Sequence, residues 1–217
     1  MTAPFRAVVF DFDYTLADSS RGAVECINFA LANLGLPLAS NTAIQRTIGL
    51  SLVDTLQELA GPEQAVRSDE FVRLFKIRAD EVMAELTFVY DTVQPTITRL
   101  QQAGLSLGIV STKFRRRIEQ ILKREQLLAG FEVIIGGEDV LNHKPNPEGL
   151  QKAVERLAVS NAQALYVGDS ITDAETARRA QIPFVAVLSG VTPKEAFADY
   201  PVYGIVPDLT QLTTLYA

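Results

Sequence analysis

From Val93 onward the chain alternates short apolar, β-branched runs with stretches of helical period, and no other feature restricts the fold as much. Residues 105–110, 131–135, 164–167 and 184–188 read as buried strands, with a short last one at 204–206. Between them Ile97 and Leu100, then Ile118, Ile121 and Leu122, then Leu150, Val154 and Leu157 recur at the spacing of a single helix face. Residues 172–180 continue that pattern, and 209–215 read as a weak helix. Such alternation builds a parallel sheet with right-handed crossovers and helices on both faces. Residues 6–12 add one more apolar run, ended by acids, and read as the first strand. The expected class is α/β, a doubly wound parallel sheet with a Rossmann-like core.

Residues 18–86 interrupt the alternation. Asp18, Ser19 and Ser20 offer helix caps, and Val24, Ile27, Leu31 and Leu34 then repeat at helical spacing until Gly35 and Pro37. Further helices are predicted over 42–48, 52–59 and 65–86, the last burying Phe71, Phe75, Ala79, Val82 and Leu86. The predicted organisation is an α/β core from residues 1–16 and 92–217, with an inserted helical bundle from 17–91.

Composition narrows the function classes. Hydrophobic residues make up 47% of the 217, which supplies a packed core and excludes a disordered chain. Twenty basic against 26 acidic residues leave a net charge of −6, the wrong sign for a broad nucleic-acid footprint. The single cysteine, Cys26, excludes an intrachain disulfide and points to a reducing compartment. No apolar run approaches the ~18 residues of a membrane span, and the apolar stretch 7–10 meets Asp11 too soon for a secretory leader. A cytoplasmic protein without membrane or nucleic-acid partners is expected.

The chemically capable residues follow the strands, at the sheet edge where open parallel sheets bind ligands. Asp11 and Asp13 are two apart and point the same way. Two carboxylates that close repel unless a cation or a shared proton relieves them, although an acidic strand-to-loop transition has the same pattern. Asp169 ends the strand at 164–167, and Asp173 lies one helical turn on, facing the same crevice; Asp169 or Ser170 serves equally as a helix cap. Two acidic pairs at one edge suit a hard cation such as Mg²⁺. Ser111, Thr112 and Lys113 open a helix, where hydroxyls and backbone N–H groups hold a phosphoryl oxygen or simply cap. Lys144 stands in a loop stiffened by Pro145 and Pro147, placed either to neutralise an anion or as an ordinary surface lysine.

Four segments in this order resemble the haloacid dehalogenase superfamily: Asp11-Phe12-Asp13-Tyr14-Thr15-Leu16, Ser111 after its apolar strand, Lys144 in His-Lys-Pro, and Gly168-Asp169-Ser170-Ile171-Thr172-Asp173. The helical insertion after the first segment resembles the cap of the phosphoglycolate phosphatase and β-phosphoglucomutase-like subgroup. The resemblance implies a Mg²⁺-dependent phosphatase of a small phosphorylated metabolite, monomeric or homodimeric, with the cap selecting substrate. It implies Asp11 as the nucleophile that becomes an aspartyl phosphate and Asp13 as acid and base. Ser111, Thr112 and Lys144 would bind the phosphoryl group. Asp11, Asp169 and the main chain of Asp13 would hold the metal, with Asp173 beside the metal or orienting Lys144. Arg46 in the cap is a candidate for the substrate's remote end. A phosphomutase using the same phosphoenzyme is the nearest alternative, and a noncatalytic regulatory protein on this fold another. Dehalogenases of the superfamily lack the second acid, so Asp13 favours phosphoryl transfer.

Three positions depart from the family pattern. Tyr14 and Gln181 replace usual glycines, predicting an altered turn after Asp13 and an altered helix end, and Asp91-Thr92 replaces a Pro-Gly pair. His143 reads as a noncatalytic loop residue, Arg115-Arg116-Arg117 as a solvated face, and Cys26 as core.

Overall fold

A computed structural model describes residues 5–215, so the part of the amino-terminal reading that rests on residues 1–4 lies outside the described residues. The chain divides into two compact units, Met1–Ala17 with Val89–Ala217 and Asp18–Phe88.

The first unit is built on a six-stranded sheet. Its strands are β1 (Ala7–Phe10), β4 (Ser106–Val110), β5 (Val133–Ile135), β6 (Ala164–Gly168), β7 (Phe184–Val187) and β8 (Gly204–Val206). Their order is β5-β4-β1-β6-β7-β8, and these neighbours pair in parallel. The chain goes to one side of β1 for β4 and to the other for β6, which makes the end of β1 a topological switch point. Register does the rest. Phe10 pairs with both Ile109 and Val167, so Asp11, Ser111 and Asp169 emerge within a residue or two of one another at the same sheet edge.

Both faces of this sheet are apolar because helices cover both. Ala7, Val9, Tyr166, Phe184 and Ala186 share one buried cluster with α7 (Glu148–Arg156) and α8 (Ile171–Ala180), through Leu150, Val154, Ala174 and Ala177. The alternate residues Val8, Phe10, Leu107, Ile109 and Val167 are equally buried, as are Ile97 and Leu100 of α5 (Val93–Gln102) and Ile118 and Ile121 of α6 (Arg115–Arg124). The expected weak helix at the carboxyl end is a 3-10 helix, Leu209–Leu215.

The second unit is a bundle of α1 (Ser20–Asn33), α2 (Asn41–Thr47), α3 (Leu52–Ala60) and α4 (Ser68–Val82). Its core joins Cys26, Ile27 and Leu31 to Ile44, Leu56, Phe71 and Phe75. Ser40 and Ser51 cap α2 and α3 by accepting the N–H groups of Ala43 and Asp54 at 3.2 and 3.1 Å. Two-residue strands, β2 (Ala17–Asp18) and β3 (Phe88–Val89), pair where the chain passes between the units.

Several local expectations need correction. The helix expected over 65–86 is a 3-10 turn, Pro62–Arg67, followed by α4, which ends at Val82; the Thr87 hydroxyl then donates to the Met83 carbonyl at 2.7 Å. Ser19 occupies the cap position of α1 but makes no side-chain cap bond, whereas the Asp18 carboxylate accepts the Ser20 N–H at 2.8 Å. The arginine run is not a uniformly solvated face. Arg117 is buried, with its guanidinium 5.1 Å from the Phe114 ring, because helical period sets it on the face of Ile121. Gln181 keeps the left-handed conformation expected of glycine, at φ 57°, and so ends α8 normally.

Candidate active site

The side chains at the switch point are charged yet almost fully withdrawn from water. Asp11, on leaving β1, is 2% exposed, and Asp169, on leaving β6, is 5% exposed. Asp173, in the first turn of α8, is wholly buried. Oxygens of these three carboxylates lie within 4.8 Å of one another. Lys144 reaches them from the loop before α7, its ammonium donating to Asp11 Oδ1 at 2.8 Å and to Asp173 Oδ1 at 2.6 Å. It is therefore a buried, doubly ion-paired group, not a surface lysine.

Local sequence explains each placement. Ser170 and Asp173 form a reciprocal capping box: Asp173 N–H donates to Ser170 Oγ, and Ser170 N–H and Oγ donate to Asp173 Oδ2. Of the two residues expected as possible caps, Ser170 takes that role and Asp169 does not. Gly168 is required by close approach, since a Cβ there would fall 2.5 Å from Asp173 Cγ. The Lys144 loop is tied down by Glu148. Its carboxylate accepts the N–H groups of Leu141 and Asn142 at 3.1 and 3.0 Å and the Lys152 ammonium at 2.7 Å. Those bonds, Lys152 first, pull the Glu148 carboxyl down to about 2.

One ammonium among three buried carboxylates leaves an imbalance. Burial, opposed by Lys144 and reinforced by Asp173 and Asp13, pushes the Asp11 carboxyl up to about 7. Burial again, with Asp173 and Asp11 adding, holds Asp169 well above the usual carboxylate range. Burial would lower Lys144, but Asp11 and Asp173 outweigh it and hold the ammonium well above its ordinary value. Among the described residues Asp169 makes no ion pair, and the Thr15 hydroxyl donates to its Oδ1 at 3.5 Å. An oxygen-only donor set with uncompensated negative charge fits a hard divalent cation. Asp11, Asp169 and Asp173 together are the carboxylates that could hold one. Both oxygens of Asp173 are already engaged, by Lys144 and by Ser170, so its geometry is that of an orienting group.

The remaining candidates divide. Ser111 follows β4 at the same edge and is buried, with Oγ accepting the Lys113 N–H at 3.2 Å. Thr112 is half-buried beside it. The Asp13 carboxylate does not join the three-acid cluster; it pairs with Lys113, whose ammonium is 3.0 Å from Asp13 Oδ1. Arg46 lies exposed in the last turn of α2, within the helical unit. His143 is exposed, as expected of a loop residue. The turn after Asp13 is not remodelled by Tyr14. Tyr14 takes the glycine-like conformation itself, at φ 61°, and its carbonyl accepts the Ser189 hydroxyl at 2.5 Å. Its side chain is buried rather than projecting.

Two-acid β1, hydroxyl after β4, lysine before α7 and acid pair at β6–α8 coincide with a match of residues 8–187 to the model for haloacid dehalogenase-like hydrolases. The chain belongs to that family. It is 34% identical over 215 residues to a phosphoglycolate phosphatase of Salmonella paratyphi A, covering 89% of this chain and 85% of the relative. It is 33% identical over 233 residues to the phosphoglycolate phosphatase of Escherichia coli K12, covering 97% and 88%. A solved haloacid dehalogenase-like hydrolase from Bacteroides fragilis superposes with a TM-score of 0.93 at 41% identity, over 96% of this chain and 99% of that one. Within the family, this hydrolase stands with the phosphatases.

Reading the sequence missed three participants: Lys113 as the partner of Asp13, Tyr166 beneath Lys144, and Ser189 under Tyr14. Lys113 was visible as a cation two residues after Ser111. Tyr166 was hidden in an apolar strand, and Ser189 lies 175 residues from its acceptor.

Proposed function

We propose that this hydrolase removes phosphate from a small phosphorylated metabolite, phosphoglycolate being the class its relatives name, by transfer through Asp11 with Mg²⁺ bound. The observation that carries this is the Lys144 ammonium shared by Asp11 and Asp173 beside an Asp169 that makes no ion pair among the described residues. Asp11 is the nucleophile: one of its oxygens is held by Lys144, leaving the other to attack phosphorus and form an aspartyl phosphate. Asp13, two residues on and at the same edge, protonates the leaving oxygen and then takes a proton from the hydrolytic water. Ser111, Thr112 and Lys144 hold the phosphoryl oxygens, so that charge developing on the transferred group meets donors already in place. Asp11, Asp169 and the Asp13 carbonyl would hold Mg²⁺, which would supply charge neutralisation between a carboxylate nucleophile and an anionic phosphate. The helical unit selects the organic part of the substrate, with Arg46 its candidate anion-reading residue.

Phosphate release from 2-phosphoglycolate and from p-nitrophenyl phosphate, with and without Mg²⁺, tests this beside Asp11→Asn. Turnover that needs Mg²⁺ and disappears in the variant is expected. Turnover that survives in Asp11→Asn overturns the nucleophile, and sugar-phosphate isomerisation without phosphate release overturns the hydrolase in favour of a mutase.

A further inference from the structure

Tyr166 lies in the middle of the central strand β6, among Ala7, Val9, Ala164 and Phe184, where packing alone asks only for an apolar side chain. Its ring is 6.0 Å from that of Phe184 and its side chain is fully buried. A hydroxyl in such a place is costly unless it is bonded. This one donates to Asp173 Oδ1 at 2.8 Å and accepts from the Lys144 ammonium at 3.3 Å, with the Val110 carbonyl at 3.5 Å. An ammonium has three protons to place. Here Asp11 takes one at 2.8 Å, Asp173 another at 2.6 Å, and the phenol is the third acceptor. Without it the ammonium keeps two acceptors and can rotate about the line between them.

We propose that Tyr166 is a positioning residue that completes a three-point seat for Lys144, fixing the ammonium on the face of Asp11 from which the phosphoryl group is to be received. The same phenol fills the second acceptor site on Asp173 Oδ1, so Lys144 and Asp173 are locked to each other through one oxygen. The kinetic consequence, though not the seat itself, rests on the hydrolase reading above.

Tyr166→Phe in the full chain tests the seat, because it removes one oxygen and keeps the ring. Turnover of p-nitrophenyl phosphate is expected to lose about tenfold in kcat, the scale of one hydrogen bond to a charged group, with KM within about twofold. In ¹H–¹⁵N spectra the buried Lys144 ammonium, assigned by its absence in Lys144→Met, is expected to give a protected signal that broadens or vanishes in Tyr166→Phe. Phe184→Leu is the control: it loosens the ring's packing, lowers the melting temperature, and is expected to leave kcat and the ammonium signal in place. An intact signal with unchanged kcat in Tyr166→Phe overturns the proposal, as does an equal kcat loss in Phe184→Leu. A wild-type chain that releases no phosphate defeats the hydrolase reading, while the ammonium spectra still decide the seat.

Discussion

Gly190→Ala offers a severe test of the site, because the added methyl group is aimed at a single carboxylate. A Cβ built at Gly190 falls 1.9 Å from Asp169 Oδ2, 2.8 Å from its Cγ and 3.1 Å from its Cβ. Ordinary contact begins near 3.4 Å, so the oxygen must retreat by about 1.5 Å, or the loop after β7 must withdraw. Rotating the carboxylate alone does not help, since Asp169 Cγ and Cβ are crowded as well. Withdrawing the loop instead strains the 2.5 Å bond from Ser189 to the Tyr14 carbonyl, in the turn that follows Asp13. Mg²⁺ tolerates little deviation from ligand distances of about 2.1 Å. Displacements near 1 Å at a catalytic constellation cost about a hundredfold in rate. Gly190→Ala is therefore expected to lower kcat by about two orders of magnitude and to raise the Mg²⁺ concentration needed for half-maximal rate. Steady-state phosphate release across a Mg²⁺ series measures both, with circular dichroism confirming that the fold persists. Activity within about threefold of wild type at the same half-saturating Mg²⁺ refutes the geometry.

Two further outcomes follow from the charge distribution. Asp169 is raised by burial and by its neighbouring acids, so in the metal-free protein its contribution to stability is present at low pH and lost as pH rises through its elevated value. Asp169→Asn is thus expected to raise the metal-free melting temperature at pH 8 while abolishing the further rise that Mg²⁺ gives wild type; a lower melting temperature in differential scanning fluorimetry contradicts this. Glu148 is depressed to about 2, so its contribution is present above the ordinary glutamate range near 4.3 and lost as pH falls toward 2. Glu148→Gln is expected to flatten the acid limb of the stability curve. By freeing the Leu141–Asn142 amides it should also lower kcat several-fold at pH 7 through the Lys144 loop, and an unchanged acid limb would count against that tether.

The fold was largely legible because its signals are local. Apolar runs ending in acids mark strands entering a ligand edge, and the Ser170–Asp173 spacing marks a helix start, whichever partners the folded chain later supplies. Where reading failed, the cause was a competing tertiary term. Arg117 looks solvated in a run of three arginines, yet the period of α6 turns it inward toward Phe114. Tyr14 looks like a disturbance of a glycine turn, yet the turn is kept with Tyr14 itself at positive φ, and Ser189, distant in sequence, bonds its carbonyl. Either Asp169 or Ser170 could cap α8 by sequence alone; folding decides it, with Ser170 as the cap and Asp169 in the acid cluster the strand end was expected to face.

Order and type of the site's residues are written in the linear chain: acid pair, hydroxyl, lysine, acid pair, each directly after an element that local pattern predicts. Which atoms meet is decided only on folding. Lys144 reaches Asp11 across 133 residues and Tyr166 across 22, Lys113 finds Asp13, and Gly190 presses on Asp169. These partners are set by sheet register and by the switch of chain direction at β1, and their charges are perturbed by a burial that no short segment produces alone. The physical reason is range: periodicity and capping act over a few residues, whereas desolvation and charge pairing act between strands brought together from distant parts of the sequence.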